Sequence, residues 1–184
     1  MDKVTFRKQQ IDRLVEFSKT DQKVTEEAQL TKALYQLASF QNAETIGIVI
    51  GQAIEFNTKP LIKAIQNLGK KVYVPRTLPD YQMTFLPYPE KETDLEKSSF
   101  GILEPKMDET ARLDPPDLVI VPGIAFSKDG HYRIGFGAGY YDRYLNRYQP
   151  KTTALVLSPM LYDAPQWPVS MLDVPVEDLL IAHG

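Results

Sequence analysis

The chain has 184 residues, 43% of them hydrophobic, which suits one domain with a substantial core. A net charge of −3 and a pI near 5.5 give no general attraction to nucleic acid or to an anionic membrane, so any phosphate site has to be built locally. The absence of cysteine excludes disulfides, thiolate metal sites and cysteine nucleophiles, and the two histidines, His131 and His183, have no partner at metal-ligand or triad spacing.

Residues 1–19 are charged throughout, without the apolar stretch of a signal peptide, and no apolar run is long enough to span a bilayer. The expectation is a cytoplasmic, soluble monomer. Val4, Ile11, Leu14 and Val15 recur at helical spacing and predict a helix over 3–19; Leu30, Ala33, Leu34, Leu37 and Ala38 predict a second. Thr45 to Ile50 reads as a buried strand. Thr58 is positioned to cap a helix with Pro60 in its first turn, Leu61, Ile65 and Leu68 on its inner face and Gly69 at its end. Val72-Tyr73-Val74 predicts a strand, and Met83 to Leu86 an edge strand hemmed in by prolines. The stretch 87–116 is dense in proline and charge and reads as a surface excursion rather than a linker. Asp117 to Val121 is an apolar strand ended by Pro122-Gly123, Tyr140 to Tyr148 is helical in pattern, Thr153 to Leu157 is strand-like, and Val176 to Ile181 fits a short strand or helix. Strands alternating with helices indicate an α/β protein, and no internal repeat occurs.

Chemistry concentrates in Arg133-Ile134-Gly135-Phe136-Gly137-Ala138-Gly139-Tyr140-Tyr141-Asp142-Arg143. Glycines let a backbone approach an anion closely, and the helix start that follows offers unpaired N–H groups and the positive end of the dipole. The spacing fits neither the Rossmann fingerprint nor a P-loop, and glycine-rich turns also serve packing alone. Lys3 and Arg7 share one face of the first helix and suit a polyphosphate, or form a solvated basic N-terminus. Glu55 follows the strand ending at Ile50. There it can accept paired hydrogen bonds from a donor-rich heterocycle, or serve as an exposed acid near a helix start. Asp142 and Asp173 are enough carboxylates for magnesium beside phosphate, although Asp142 can equally stabilise its helix, and spacing does not say whether the two converge. Ser127 and Ser158 lie outside any nucleophile elbow.

The chain resembles the 5-formyltetrahydrofolate cyclo-ligase (methenyltetrahydrofolate synthetase) family. The likeness rests on the glycine–tyrosine segment, Val121 to Phe126, Gly130, Lys3 with Arg7, Glu55 with Thr58, Val74-Pro75-Arg76 and Gly101-Ile102-Leu103-Glu104-Pro105, in the family's order over nearly the whole chain. The resemblance implies a single-domain, three-layer α/β/α sandwich with a mostly parallel sheet, akin to the sugar-phosphate isomerase and CoA-transferase group. It implies closure of 5-formyltetrahydrofolate to 5,10-methenyltetrahydrofolate with ATP and magnesium, through phosphorylation of the formyl oxygen and attack by N10. It places ATP on Lys3, Arg7 and Arg133, Ile134, Gly135, Phe136, Gly137, Ala138, Gly139, Tyr140 and Tyr141. It places the folate on Ile50, Glu55 and Phe136 to Tyr140, and magnesium on Asp142 and Asp173. Arg7, Glu55 and Arg133 are the expected catalytic residues. The chain has Phe136 or Ala138 where some relatives carry a basic residue, and Leu172 where many bacterial members have histidine before the second acid. A non-catalytic folate or nucleotide binder and an ATP-independent sugar-phosphate isomerase are the alternatives.

Overall fold

In the computed structural model, which describes residues 1–183, the chain opens with α1 (Lys3–Phe17), capped by the Asp2 carboxylate accepting from the N–H groups of Val4 and Thr5. The buried stripe of α1 is Phe6, Gln10 and Leu14, spaced four apart, while Val4, expected inside, is 73% exposed. A polar residue holds a core position there because all its capacity is used. The Gln10 amide donates to the carbonyls of Ile124 (2.7 Å) and Pro159 (2.9 Å), and its oxygen accepts from the Tyr162 hydroxyl.

Helix α2 (Asp21–Gln36) buries Leu30 and Leu34; Leu37 falls at its end, and Ala38, expected to face inward, is exposed at the start of the short α3 (Ala38–Asn42). Strand β1 (Thr45–Ile48) leaves its ladder earlier than the run to Ile50 suggests. In α4 (Thr58–Asn67), Thr58 is the first helical residue rather than the cap, and its hydroxyl accepts the Gly51 N–H at 2.9 Å. Ile62 joins Leu61 and Ile65 inside, whereas Leu68 lies past the last turn and is exposed.

Strands β2 (Lys71–Leu78) and β3 (Gln82–Pro87) pair antiparallel. The stretch 87–116 carries a small hairpin, β4 (Leu95–Lys97) and β5 (Leu103–Pro105), whose Glu104 is buried and accepts from the N–H and hydroxyl of Thr77. Strand β6 (Leu118–Ile120) then enters the sheet's centre, followed by β7 (Ala125–Ser127) and β8 (Arg133–Ile134), α5 (Tyr140–Tyr148), β9 (Lys151–Val156), β10 (Leu161–Tyr162) and β11 (Asp178–Ile181). The main sheet has six strands in the order β11-β9-β6-β1-β2-β3, parallel except for the edge strand β3; β10, β7 and β8 form a second, three-stranded sheet. From β1 the chain steps one way to β2 through α4, and from β6 it steps the other way to β9 through α5. Right-handed crossovers in opposite directions put α4 and α5 on opposite faces. Strand order therefore reverses between β1 and β6, where open α/β sheets place their ligands at the carboxyl ends.

Helix α5 is anchored to the edge of the sheet by a half-buried acid. Asp114 accepts from the Tyr144 hydroxyl (2.8 Å), the Phe85 N–H (3.0 Å) and the Thr84 hydroxyl, and Tyr144 packs edge-on against Phe85. Burial and the adjoining Asp114 raise the Tyr144 pKa well above the ordinary value, so the phenol remains a donor. Asp114→Ala strands three donors and is expected to cost about 3 kcal/mol. The check is the urea midpoint at unchanged m-value; an unshifted midpoint would mean the carboxylate anchors nothing.

Candidate active site

The glycine segment, Gly135 to Gly139, is reached from β6 through the β7–β8 hairpin and runs into α5. Gly137 and Gly139 hold φ of +111° and +76°, a region that side chains other than glycine's rarely adopt. Arg7 lies on this loop: its Nε donates to the Gly135 carbonyl at 2.8 Å, and a Cβ built on Gly137 would stand 3.1 Å from its Cζ. Gly139 is the N-cap of α5, and no side chain caps that helix start. Unsatisfied N–H groups at such a start, with a cation on the loop before it, make an anion site.

Two ion pairs flank the loop. Lys3 Nζ bonds both oxygens of Asp173 (2.9 and 3.0 Å), and Arg133 Nη2 reaches Asp142 Oδ1 at 3.2 Å. Asp142 Oδ1 also accepts the Val174 N–H, so the two acids, remote in sequence, lie on adjoining segments. Lys3 thus pairs with Asp173 and Arg133 with Asp142, while Arg7 bonds the loop backbone. Among the described residues no three or more His, Asp or Glu are grouped so that they could hold a metal ion by themselves.

The opposite wall follows β1. Glu55 is 8% exposed, and its Oε2 accepts the Gln52 N–H at 2.9 Å; burial raises its pKa above the ordinary 4.5. It lines a narrow hollow of about 30 Å³ with Gly51, Phe56, Thr58, Val121, Pro122, Gly123 and Met160, at the carboxyl ends of β1 and β6; Ile50 is buried alongside in the sequence. Tyr141, in the first turn of α5, packs beside Arg133. Its hydroxyl is buried without a hydrogen-bond partner, and the Arg133 guanidinium lies 5.6 Å from its ring centre. Burial pushes the phenol pKa far up, while the Arg133 charge opposes that and the Glu55 charge adds to it. Arg133 Nε is likewise buried without a hydrogen-bond partner.

The structure therefore gathers Lys3, Arg7, Arg133, Gly135 to Gly139, Tyr141, Asp142 and Asp173, with Glu55 at the carboxyl end of β1. A model of the 5-formyltetrahydrofolate cyclo-ligase family matches residues 1–182. The chain belongs to that family. Within the cyclo-ligase family it is 31% identical to the 5-formyltetrahydrofolate cyclo-ligase of Haemophilus influenzae over 84% of each chain, and 33% identical to that of Mus musculus over 82% of this chain and 79% of the other. The fold matches a 5,10-methenyltetrahydrofolate synthetase from Aquifex aeolicus with a TM-score of 0.81 at 24% identity, covering 98% of this chain and 90% of that one. A synthetase of the same name from Mycoplasma pneumoniae gives a TM-score of 0.72 at 21% identity, covering 97% and 98%. No described helix is long and apolar enough to cross a membrane.

Around the cyclo-ligase loop the structure adds residues that the sequence does not single out. Tyr81, on the β2–β3 turn, and Phe100, at the tip of the β4–β5 hairpin, each lie 5.9 Å from the Tyr140 ring centre, and both are about half exposed. Arg143 donates to the Ala138 carbonyl and stacks 5.3 Å from the Tyr81 ring. The signal available was a bulky aromatic on a turn, a place that small polar residues usually fill. Phe136 is 45% exposed on the loop, while Ile134 is a core residue paired with Ala125.

Proposed function

We propose that this chain closes 5-formyltetrahydrofolate to 5,10-methenyltetrahydrofolate at the expense of ATP, releasing ADP and phosphate, and that it does so in the cytoplasm. The supporting observation is a buried carboxylate, Glu55, past the carboxyl end of β1 where strand order reverses, together with a glycine loop that carries Arg7 and leads into an uncapped helix start. One wall recognises a donor-rich bicyclic ring and the other a polyphosphate, which the two substrates of this reaction supply.

In this reading the ionised Glu55 accepts hydrogen bonds from pterin N–H groups and turns the formyl oxygen toward the γ-phosphate. Arg7 and Arg133, with the amides of the loop and the start of α5, align the triphosphate and spread its charge, which is most of what phosphoryl transfer needs. The formyl oxygen attacks the γ-phosphorus of ATP, whose bond to the bridging oxygen breaks so that ADP leaves. N10 then attacks the activated carbon and gives up its proton, and the C–O bond breaks with loss of phosphate. The narrow hollow admits a flat ring only with side-chain movement, for which the unbranched Met160 is suited.

Magnesium fits the donor set. Asp142 makes both of its bonds through Oδ1, and Asp173 is balanced by Lys3, a cation assigned here to phosphate. Asp142 and Asp173 would hold the ion once phosphate draws Lys3 and Arg133 away. When bound it neutralises charge on phosphate oxygens.

The test is direct: purified protein with ATP, magnesium and 5-formyltetrahydrofolate is expected to develop the near-ultraviolet absorbance of the methenyl product with one ADP per turnover. Binding of both substrates with neither product would reject catalysis in favour of a folate and nucleotide binder.

A further inference from the structure

The hollow beside Glu55 is lined from β1, β6, β9 and the segments that follow them, yet two carboxylates of α2 hold the backbone of its walls. Glu27 Oε1 accepts the Asn57 N–H at 2.8 Å, between the wall residues Phe56 and Thr58. The adjacent Glu26 is buried, and its Oε2 accepts the Ser158 N–H at 2.8 Å, at the start of the single turn Ser158–Met160 that carries the wall residue Met160. Both acids have further partners on their own helix. Glu26 Oε1 accepts from the Gln22 amide, and the buried Lys23 ammonium bonds Glu27 Oε1. A buried polar network satisfied in this way fixes one geometry.

We infer that Glu27 is a positioning residue for the folate, acting through Asn57 on the loop that carries Glu55, with Glu26 fixing a second wall; this rests on the proposed function. The loop moves as a unit. Its Gly51 N–H donates to the Thr58 hydroxyl (2.9 Å), the Glu55 N–H to the Gln52 carbonyl (3.0 Å) and the Gln52 N–H to Glu55 Oε2 (2.9 Å). A Cβ built on Gly51 would stand 2.5 Å from the Phe56 carbonyl oxygen, so a shift at one end of the loop is passed to the other. Asn57, the N-cap of α4, is the point where Glu27 holds this unit, and a negative charge there also suits the start of a helix. Orientation of a bound ring depends on its acceptor staying within a fraction of an ångström, so a carboxylate on α2 decides how well Glu55 meets the pterin.

The experiment measures Kd for 5-formyltetrahydrofolate and for ATP by calorimetry on the full chain. Glu27→Ala removes the acceptor, and alanine keeps α2 helical. Asn57→Pro removes the donor of the same bond, and the Asn57 φ of −74° is one that proline adopts. In each variant Kd for the folate is expected to rise about tenfold with Kd for ATP unchanged. Both bonds to Glu27 fall on Oε1, so the amide oxygen of Glu27→Gln can keep them, and that variant is expected to bind folate within about twofold of wild type. The stability control is Asp117→Ala, which frees the Glu44 and Thr45 N–H groups at the amino end of β1. It should melt earlier yet bind folate like wild type. Unchanged folate affinity in Glu27→Ala, equal weakening of both ligands, or the same loss in Asp117→Ala would each overturn the inference. If wild type binds folate and Glu27→Ala weakens it selectively but no methenyl product forms, the proposed function falls and the positioning role stands; wild type that binds no folate refutes both.

Discussion

In the Glu55→Gln variant, kcat/KM for 5-formyltetrahydrofolate is expected to fall by about 100-fold or more, while the folded state stays as stable as wild type or gains stability. The loss follows from replacing an acceptor-only carboxylate by an amide that offers a donor where the pterin needs acceptors. Two charge-assisted hydrogen bonds at about 1.5–3 kcal/mol each are at stake. The stability follows from the opposite sign of the same burial. Glu55 is 8% exposed and, among the described residues, its side chain takes one hydrogen bond, from the Gln52 N–H, so burial holds its folded-state pKa above the ordinary 4.5. Below the unfolded value the group is neutral in both states and costs nothing; the penalty grows as pH rises to the folded-state value and is constant above it. Glutamine removes that penalty. In wild type, kcat/KM reports the free enzyme and should climb with pH through a pKa above the ordinary glutamate range, and that acid limb should vanish in the variant. A variant with wild-type kcat/KM, or one that retains the limb, would take Glu55 out of substrate recognition.

The contrast between Glu55 and Arg7 shows how far local pattern reaches. Both strands at the reversal of order were legible, because Thr45 to Ile48 and Leu118 to Ile120 are short apolar runs rich in β-branched residues, and Tyr140 to Tyr148 is a helix with the boundaries its pattern implies. Gln10 was invisible, since its burial depends on the carbonyls of Ile124 and Pro159, more than a hundred residues away. Strands β7, β8 and β10 are two or three residues long, too short to show alternation. In the site, the glycine loop announced itself by composition, but the placing of Arg7 on Gly137 and of Lys3 against Asp173 depends on α1 crossing the far end of the chain. Spacing along a sequence carries no information about such a meeting. The aromatic group around Tyr140 has the same character, since Tyr81, Phe100 and Tyr140 come from a turn, a hairpin and a helix.

Gly137→Val is the second variant with a large expected effect, and it separates the loop's shape from the stability of the fold. At φ +111° a β-branched residue is strained wherever it sits, and here its Cβ would also press on the Arg7 guanidinium, 3.1 to 3.4 Å away. Arg7 then loses its place over the loop and its bond to the Gly135 carbonyl, so a cation and the backbone amides are disturbed together. Affinity for ATP is expected to fall by about 100-fold or more, the loss of one charged contact of about 1.5–3 kcal/mol plus part of the amide cradle. Because backbone strain alone lowers stability, the comparison is Gly69→Val at the end of α4, where φ is +80° and nothing lies within 4 Å of the added carbon. That variant should melt earlier yet bind ATP like wild type. If Gly137→Val lowers the melting temperature by a similar amount but leaves the Kd for ATP unchanged, the phosphates do not lie against this loop, and the assignment of Arg7 to them falls as well.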